Sequence, residues 1–368
     1  MLIKPKAGQP AKIKVVGIGG GGGNAVTSMF SEEDTAGVEF VVLNTDVQAL
    51  LNHKADVKIQ IGEKLTKGLG SGGDPEIGLK AAEESKENIK EQLGGADMIF
   101  ITCGQGGGTG TGASPIVAEV GKETGALTLA VVTKPFDFEG ARRKIVAEEG
   151  IQKLKEKVDT LIVIPNQRVL EIIDNKISVL EAFKKIDSIL HQGVKGIAEL
   201  ITTPGLINVD FADVRTIMSN AGTAMMGIGT GSGEKRALMA IKQAITSPLL
   251  DISIDGAKGV LFNIVGGPDL SMLEVNEAVS IITKTVDADA DIIFGAVIDE
   301  KMMDQVRLTL IATKFDEGRL RLFRLKNKTK GKPLSAKEVE VKKKDDLVGE
   351  DLLEEESEFD IPTFLRKK

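Results

Sequence analysis

The sequence predicts an α/β protein built on a doubly wound, largely parallel sheet, and three observations support this fold class. Over residues 12–200, apolar runs of strand length alternate with helical patterns, which is typical of strand–helix units that form a parallel sheet. The chain has 368 residues, too many for one ordinary compact core. Hydrophobic residues make up 42% of it and charged residues 27%, values typical of globular domains.

The elements of the first part follow from these alternating patterns. Apolar runs predict its strands at Lys12–Ile18, Phe40–Asn44, Met98–Cys103, Thr128–Thr133 and Thr160–Pro165. Helical periodicity predicts helices between them, notably at Asp74–Leu93, Ser114–Thr124 and Gly140–Glu156. A longer apolar stripe predicts one helix over residues 179–201, which would span about 35 Å and could bridge two domains.

After this long helix the pattern becomes that of a smaller α+β domain. Its strands are expected at Ala224–Gly229, Gly259–Gly266, Ile292–Val297 and Arg307–Ala312. Its helices are expected at Glu234–Ala244 and Leu273–Thr285.

Composition and charge exclude several classes of function. The formal net charge of −7 gives no basic surface for duplex nucleic acid, and the absence of Trp and Tyr argues against an aromatic platform for single strands. The single cysteine, Cys103, excludes a disulfide framework and a cysteine-based zinc cluster, and fits a reducing cytosol. We expect neither a signal peptide nor a transmembrane segment, because no apolar run has the required length.

Blocks of like charge mark a tail after about residue 320. Arg319–Lys344 holds 11 basic and 2 acidic residues, and Asp345–Asp360 holds 9 acidic and no basic ones. Such blocks bury too little apolar surface to fold, so a flexible linker is expected. The last residues, Phe359–Lys368, are apolar and basic together, which favours a short docking peptide over a frayed terminus.

The first glycine cluster, Gly17–Asn24, follows the first predicted strand and contains the GxGxxG pattern. Glycines let the backbone approach phosphates, and the N-terminus of a following helix adds positive potential. This cluster alone leaves a nicotinamide-dependent dehydrogenase open, with Asp46 as its ribose-binding acid. Neither histidine, His53 nor His191, provides the hydride-transfer site that such an enzyme needs.

A second glycine cluster, Gly104–Gly112, follows another predicted strand and precedes a helix whose first turn would carry Ser114 and Pro115. Two clusters at two helix N-termini supply more phosphate donors than a dinucleotide needs, and Thr109 and Thr111 add hydroxyls for a terminal phosphate. The pattern GxxxxGK followed by Ser or Thr does not occur, which excludes an ordinary P-loop NTPase.

The run GGGTGTG in the second cluster is the signature of the tubulin and FtsZ family of GTPases, and residues 12–320 resemble the bacterial cell-division branch of that family, with the motifs in matching order. The resemblance implies a site for GTP or GDP. Its phosphates would be bound by Gly20, Gly21, Gly22, Gly23, Asn24, Gly106, Gly107, Gly108, Thr109, Gly110, Thr111 and Gly112. The loop on the ribose side would contribute Glu139 and Arg143, and the guanine pocket would contain Asn166, Phe183 and Asp187.

Guanine chemistry agrees with the assignment of this pocket. Guanine presents N1–H and N2–H₂ donors side by side, and the carboxylate of Asp187 can accept from both, whereas adenine does not offer this pair. Asn166 can serve the remaining acceptor and donor positions of the base, and Phe183 can lie against its face. Without the resemblance, Phe183 would be interpreted as a core residue and Asp187 as a solvated helix residue.

Residues 204–215 follow the long helix and resemble the catalytic loop of the family. From the residues alone, Asn208 or Asp210 could simply cap the next helix. Asp210 and Asp213 are three residues apart, so on a helix both would project to one side and could position water or a cation. The resemblance implies that Asn208, Asp210 and Asp213 complete the pocket of the next subunit, a head-to-tail contact that propagates into a filament. Mg²⁺ would be held by phosphates and water, without a direct protein ligand.

The terminal peptide resembles the C-terminal motif of the family, which binds membrane-anchoring adaptors of the FtsA and SepF kinds and other division regulators. Ile361, Pro362, Phe364 and Leu365 would enter a hydrophobic groove of the partner. The resemblance implies a cytoplasmic GTPase that polymerises into the cytokinetic ring at mid-cell, attached to the membrane through adaptors and without binding nucleic acid. Two alternatives stay open: a filament-forming paralogue outside cell division, and a GTP-binding structural relative without turnover.

These interpretations together predict six segments along the chain. They are a flexible N-terminus at 1–11, a GTP-binding domain at 12–178, a central helix at 179–203, a C-terminal α+β domain at 204–320, a charged linker at 321–358 and a docking peptide at 359–368.

Overall fold

The computed structural model has the α/β architecture that the sequence predicts. It describes residues 11–31, 37–170, 177–203, 205–250 and 253–316. All of these belong to one compact unit, Met1–Arg319. The predicted linker and docking peptide lie outside the described residues, as do most of the predicted N-terminal segment and Pro204 of the predicted catalytic loop.

The described residues form a ten-stranded sheet. In chain order, its strands are β1 Ile13–Ile18, β2 Val38–Asn44, β3 Val57–Gln60, β4 Met98–Gly104, β5 Leu127–Lys134, β6 Thr160–Pro165, β7 Gly222–Ser232, β8 Gly259–Gly266, β9 Asp291–Ile298 and β10 Gln305–Thr313. Their order across the sheet is β3-β2-β1-β4-β5-β6-β7-β10-β8-β9. All pairings are parallel except the two made by β10, so the prediction of a largely parallel sheet is confirmed.

Helices cover both faces of this sheet, as a doubly wound fold requires. In the described part of the chain they are α1 Gly19–Phe30, α2 Val47–Asn52, α3 Glu63–Thr66, α4 Pro75–Glu84, α5 Lys86–Leu93, α6 Thr109–Glu123, α7 Ala141–Lys155, α8 Asn166–Val169, α9 Val179–Thr202, α10 Phe211–Met218, α11 Arg236–Ile245 and α12 Met272–Thr285. Helices α1, α9 and α10 pack on one face of the sheet, and α4 to α7 on the other. Helices α11 and α12 share a third core with β8 and β10.

Burial on both faces explains why the central strands are continuous apolar runs. Successive side chains of a strand point to opposite faces. In β4, Met98 and Phe100 therefore belong to the core under α1 and α9, whereas Ile99 and Ile101 belong to the core under α6. A strand with two buried faces therefore consists mostly of apolar residues, which is typical of parallel sheets.

The strand order places a crevice at the carboxyl ends of β1 and β4. These strands are neighbours, and Ile18 of β1 pairs with Cys103 of β4. The chain continues from β1 towards β2 and from β4 towards β5, on opposite sides of this pair. Ligands of open α/β sheets bind outside the carboxyl ends of the strands where the order reverses in this way. Helices α1 and α6 begin at the same place, so both N-termini face the crevice.

The helices that follow the two glycine clusters begin earlier in the sequence than the patterns indicate. Helix α1 begins at Gly19, inside the first cluster, and α6 begins at Thr109, so Pro115 lies inside α6 and not in its first turn. Glycine has a low helix propensity, which favours a loop when only the sequence is considered. Close packing favours the helix, because a Cβ on Gly22 would lie 2.3 Å from the carbonyl oxygen of Thr102.

Several further elements differ from the expected ones, since the short helices α2, α3 and α8 were not predicted. The single helix predicted over Asp74–Leu93 is interrupted at Ser85, and strand β3 was not expected from its four residues.

The long helix α9 is held at its first turn and along one side. The hydroxyl of Ser178 accepts from the N–H of Glu181, and the carboxylate of Glu181 accepts from the N–H of Ser178, so a capping box satisfies two of the free donors of the helix end. Its 24 residues span about 36 Å. The buried stripe includes Ile186, Leu190 and Ile197.

The sheet has one short join. Strands β6 and β7 pair only through Thr160–Ile162 and Gly222–Ala224, whereas β7 and β10 pair over eight residues of each strand. None of the helices in the described part of the chain is long and apolar enough to cross a bilayer.

Candidate functional site

A cleft of about 480 Å³ occupies the crevice at the carboxyl ends of β1 and β4. Its described lining comes from α1, the start of α6, the loop after β5, α8 and the first half of α9. The lining residues are Ile18, Gly20, Gly21, Asn24, Ser71, Gly104, Gln105, Gly107, Gly108, Thr109, Gly110, Thr133, Pro135, Glu139, Arg143, Asn166, Phe183, Ile186, Asp187 and Leu190.

The end of the cleft beside α1 and α6 is suited to phosphate. Two helix N-termini meet there, and each offers backbone N–H groups with the positive end of a helix dipole. Gly20 and Gly107 line the cleft, and a Cβ on either would meet no protein atom within 4 Å. Packing within the protein therefore does not require glycine at these two positions, whereas a ligand that approaches the backbone closely does.

Hydroxyl groups hold the first turn of α6 in place at this end. The hydroxyl of Thr109 lies 2.7 Å from the hydroxyl of Thr45 and 3.0 Å from that of Ser71. Gly108 allows this approach, because a Cβ there would lie 2.2 Å from the Ser71 oxygen. The polar groups at the start of α6 are thus fixed before any ligand binds, which is the preorganisation that charge stabilisation requires.

The lining from α8 and α9 includes an acid and an amide with free hydrogen-bonding capacity. Asp187 is half-buried on α9, and burial raises the pKa of its carboxyl to about 6. Asn166 at the start of α8 is 5% exposed, and its Oδ1 accepts no hydrogen bond from any described residue. Buried polar atoms are normally paired, so both side chains are suited to a polar ligand.

An aromatic cluster lies beside these two side chains. Phe183 of α9 is 41% exposed and contacts Phe136 edge to face, with ring centroids 5.4 Å apart. Phe136 in turn stacks on Phe138 at 4.9 Å. Phe136 is fully buried, so it supports an exposed ring that is placed to contact a planar base.

Glu139 and Arg143 also line the cleft and are linked to each other. Arg143 Nη1 donates to Glu139 Oε2 at 2.6 Å, and the other carboxylate oxygen of Glu139 accepts from the backbone N–H of Phe136 at 2.9 Å. The carboxylate is therefore held in one orientation while the guanidinium stays exposed, which leaves further donors for a ligand.

Five of the residues predicted to contact phosphate do not line the cleft. Gly22 packs on β4, and a Cβ on Gly23 would lie 2.4 Å from the ring of His53. Gly106 donates its N–H to the buried hydroxyl of Thr111 at 2.9 Å, and a Cβ on Gly112 would lie 2.0 Å from a backbone oxygen of α4. In this structure these residues shape the elements that carry the cleft, and their direct contact with a ligand stays a prediction.

Sequence reasoning missed Ser71 among the lining residues. Ser71 lies in the run Gly68–Asp74, which contains four glycines, and it is 6% exposed. That run is a third glycine cluster in the sequence, but no apolar run of recognisable strand length precedes it, so the pattern that marks the other two clusters does not single it out.

The residues of the predicted catalytic loop lie apart from this cleft. Asp210 occupies the N-cap position of α10 and Asp213 its first turn, and both are exposed. The side chain of Asp210 makes no capping hydrogen bond, and Asn208 Oδ1 accepts from the N–H of Gly205 at 2.7 Å. Neither aspartate nor Asn208 lines the cleft of its own chain.

The groups that line the cleft determine how a metal ion could be bound there. Among the described residues, no group of three or more His, Cys, Asp or Glu side chains is placed to bind a metal ion. The phosphate end offers N–H groups and hydroxyls, which suit an anion. A Mg²⁺ ion that arrives with a nucleotide can keep its water and phosphate oxygens as ligands, so this lining is compatible with such an ion.

Comparisons with known proteins agree with this site. Residues 12–174 match the model of the tubulin/FtsZ family GTPase domain, and residues 222–316 match that of the FtsZ family C-terminal domain. An FtsZ dimer from M. jannaschii is 51% identical, over 83% of this chain and 88% of that chain, with a TM-score of 0.80. The structure of a mutant of FtsZ from M. jannaschii is 52% identical, over 83% and 91%, also with a TM-score of 0.80.

A more distant structure shares the fold. The GTPγS-bound protofilament of CetZ2 from Haloferax volcanii is 20% identical over 86% of this chain and 98% of that chain, with a TM-score of 0.71. The two family models and a relative of 51% identity over most of its length show that this chain belongs to the tubulin/FtsZ family of GTPases, whose members bind GTP and GDP.

Proposed function

We propose that this chain is a self-assembling GTPase that forms head-to-tail filaments in cell division and hydrolyses GTP at the contact between subunits. One observation carries the proposal. The cleft has groups for phosphate and for guanine, yet the exposed carboxylates of Asp210 and Asp213 lie outside it. A cleft that can bind the nucleotide, with its hydrolytic groups elsewhere on the same chain, is a site that a second copy completes.

The lining residues have distinct roles in this proposal. The starts of α1 and α6 bind the phosphates through N–H groups, and Asp187 accepts from the N1–H and N2–H₂ of guanine while Phe183 covers the base. The ion Mg²⁺ supplies charge neutralisation on the phosphates. Asp210 and Asp213 of the adjacent subunit orient the attacking water, the role of positioning residues in other GTPases.

Relatives support assembly of this kind. Solved structures include an FtsZ dimer and a CetZ2 protofilament. A contact between two different faces of one chain does not close on itself, so it continues as a filament. We extend the proposal to the cytokinetic ring at mid-cell and to adaptors of the FtsA and SepF kinds, bound through Ile361, Pro362, Phe364 and Leu365.

The first experiment separates nucleotide binding from turnover. Asp213→Ala should lower GTP turnover by at least about 100-fold, the scale of a lost water-positioning group, and leave the dissociation constant for GDP within about twofold. Asp289→Ala, which removes another exposed aspartate, should behave as the unaltered protein. Loss of GDP binding in Asp213→Ala would show that the loop belongs to the pocket of its own chain.

A mixing experiment tests whether the site is shared. Asp213→Ala keeps the cleft and loses the loop carboxylate, whereas Asp187→Asn keeps the loop and weakens the cleft. A mixture of the two variants contains some contacts with an intact cleft and an intact loop, so its turnover should exceed the sum of the separate turnovers. Purely additive turnover, or turnover per subunit that does not rise with protein concentration, would contradict the shared site and favour a GTPase that acts alone.

A further inference from the structure

Helix α10 carries the loop carboxylates, yet packing alone holds it loosely. Of its eight residues only Val214, Ile217 and Met218 are buried, and their spacing places them on one side of the helix. A helix of this length has little stability of its own. Apolar packing is non-directional, so it leaves the orientation of the exposed first turn, where Asp213 lies, to other contacts.

Arg215, in the last turn of α10, provides a directional contact. Its Nη2 donates to the carbonyl oxygen of Gly125 at 2.8 Å, and its guanidinium carbon lies 6.0 Å from the ring centroid of Phe211, within reach of a cation–π interaction. Gly125 follows the end of α6 with φ of +82°, the left-handed conformation in which glycine often ends a helix. Arg215 therefore joins the last turn of α10 to the end of α6, and its ring contact links that turn to Phe211, the first residue of the helix.

The far end of α10 is fixed to the same region of the sheet. The carbonyl oxygen of Met218 accepts from the hydroxyl of Thr160, and the N–H of Asn220 donates to Asp159 at 3.4 Å. Asp159 is 5% exposed and accepts a second hydrogen bond from the N–H of Thr128 at 3.0 Å. The loop before α10 is held to β9 by the bridge between Ile207 and Ala296. The hydrogen bond from Arg215 to Gly125 adds a directional side-chain contact to these backbone anchors and sets how the helix lies between them.

Helix α6 connects this contact to the nucleotide cleft. Its first residue, Thr109, lines the cleft, and the fifteen residues of the helix place Gly125 about 22 Å away along the axis. Arg215 thus attaches the catalytic loop to the element that forms the phosphate end of the cleft in the same chain.

We propose that Arg215 is a positioning residue for GTP hydrolysis, because its hydrogen bond to Gly125 sets the orientation of α10 and hence of Asp210 and Asp213. This inference rests on the proposed function, in which these carboxylates act on the nucleotide of the next subunit. A displacement of about 1 Å in a catalytic arrangement can cost about 100-fold in rate. Loss of the contact therefore lowers turnover and leaves nucleotide binding in the cleft of the same chain unchanged.

The test measures turnover within filaments of the full-length chain. Arg215→Met keeps the length of the side chain and removes the donors. We expect its kcat at saturating protein and GTP to fall at least about tenfold, while the dissociation constant for GDP and the protein concentration needed for assembly with a slowly hydrolysed GTP analogue stay within about twofold. Arg215→Lys, whose ammonium can still donate to the carbonyl, should recover at least about half of that loss on a logarithmic scale.

Two parallel variants make the result decisive. Lys122→Met removes another cation from the same small cavity, where the side chain of Lys122 lies 3.2 Å from Asp159. The backbone carbonyl of Lys122, which accepts from the N–H of Gly125 at 3.0 Å, is kept in this variant, so its kcat should be unchanged. An equal fall in Lys122→Met, an unchanged kcat in Arg215→Met, or an Arg215→Lys as slow as Arg215→Met would overturn the proposal. Normal turnover in Asp213→Ala would instead show that the proposed function itself is wrong.

Discussion

Lowering the pH should weaken guanine nucleotide binding through a single carboxyl group. Burial raises the pKa of Asp187 to about 6 in the empty cleft. Only the ionised carboxylate can accept from both N1–H and N2–H₂ of guanine. Binding therefore requires that Asp187 lose its proton, and this requirement begins to limit the affinity near pH 6, well above the range of an ordinary aspartate.

The magnitude follows from the ionised fraction of the free protein. With a pKa of about 6, roughly 97% of Asp187 is ionised at pH 7.5 and roughly 9% at pH 5 by the usual titration relation. If the nucleotide binds only the ionised form, its dissociation constant is about tenfold larger at pH 5 than at pH 7.5. This corresponds to a loss of about 1.4 kcal/mol in binding free energy.

The empty protein responds in the opposite direction. The pKa of Asp187 is higher in the folded protein than its unfolded value of about 3.9. Its carboxyl group therefore contributes to the free energy of unfolding below pH 4, and this contribution is lost as the pH rises through 6. Acid thus favours the empty fold, as far as Asp187 is concerned, while it disfavours the complex.

Calorimetric titration of GDP at several pH values measures this effect, and Asp187→Asn supplies the control. The phosphate groups of GDP also titrate near pH 6, but their contribution is common to both proteins, so the difference between the two pH profiles isolates Asp187. At pH 7.5 the variant should bind GDP at least about tenfold more weakly, because an amide N–H₂ faces a donor of the base.

A xanthine nucleotide checks that the variant cleft is intact. Xanthine carries a carbonyl where guanine has its exocyclic amine, so the amide of Asp187→Asn can pair with it. We therefore expect Asp187→Asn to bind xanthosine diphosphate more tightly than GDP. Identical pH profiles for the unaltered protein and the variant would refute the reasoning about Asp187.

Three further predictions concern the cleft and its supports. Gly107→Ala should weaken GDP binding at least about tenfold without changing the melting temperature, since its Cβ enters open space in the cleft. Gly110→Ala, whose Cβ would lie 2.8 Å from a backbone oxygen, should lower the melting temperature instead. A lower melting temperature in Gly107→Ala and an unchanged one in Gly110→Ala, measured by differential scanning calorimetry, would contradict these two roles. Gly23→Ala should destabilise the fold by about 1–3 kcal/mol through overpacking against His53, and His53→Ala should relieve much of that cost in the double variant, as urea denaturation can measure. Burial raises the pKa of the Cys103 thiol to about 12, so thiol reagents at pH 8 should modify it only through transient opening, and rapid labelling of the native protein would be inconsistent with this structure.

The sheet was predictable because its strands are buried on both faces. Runs such as Met98–Cys103, in which Thr102 is the one polar residue, are apolar enough to indicate a strand between two layers of helices. The four residues of β3 gave no such signal, and they form a strand because β2 offers them an edge to pair with. Their pairing depends on tertiary context, which overrides local preference in short segments.

The helix starts at the cleft were hard to predict for a related reason. Gly19 to Gly23 and Gly110 are poor helix formers, yet they lie in α1 and α6, where larger side chains at Gly22, Gly23 and Gly110 would collide with their neighbours. The guanine end stays a prediction that rests on the resemblance, because from the residues alone Asp187 would be interpreted as a solvated helix residue. Ser71 could not be predicted, because its place in the cleft depends on contact with Thr109, 38 residues along the chain.

The short join between β6 and β7 has a mechanical consequence. A load applied across the sheet is carried at that point by three residues of each strand, and by eight at the next pairing. Elastic strain therefore concentrates between Thr160–Ile162 and Gly222–Ala224, while the regions on either side deform less. In the filament proposed above, tension across the sheet would load this line, which has the fewest paired residues of any strand pair in the described sheet.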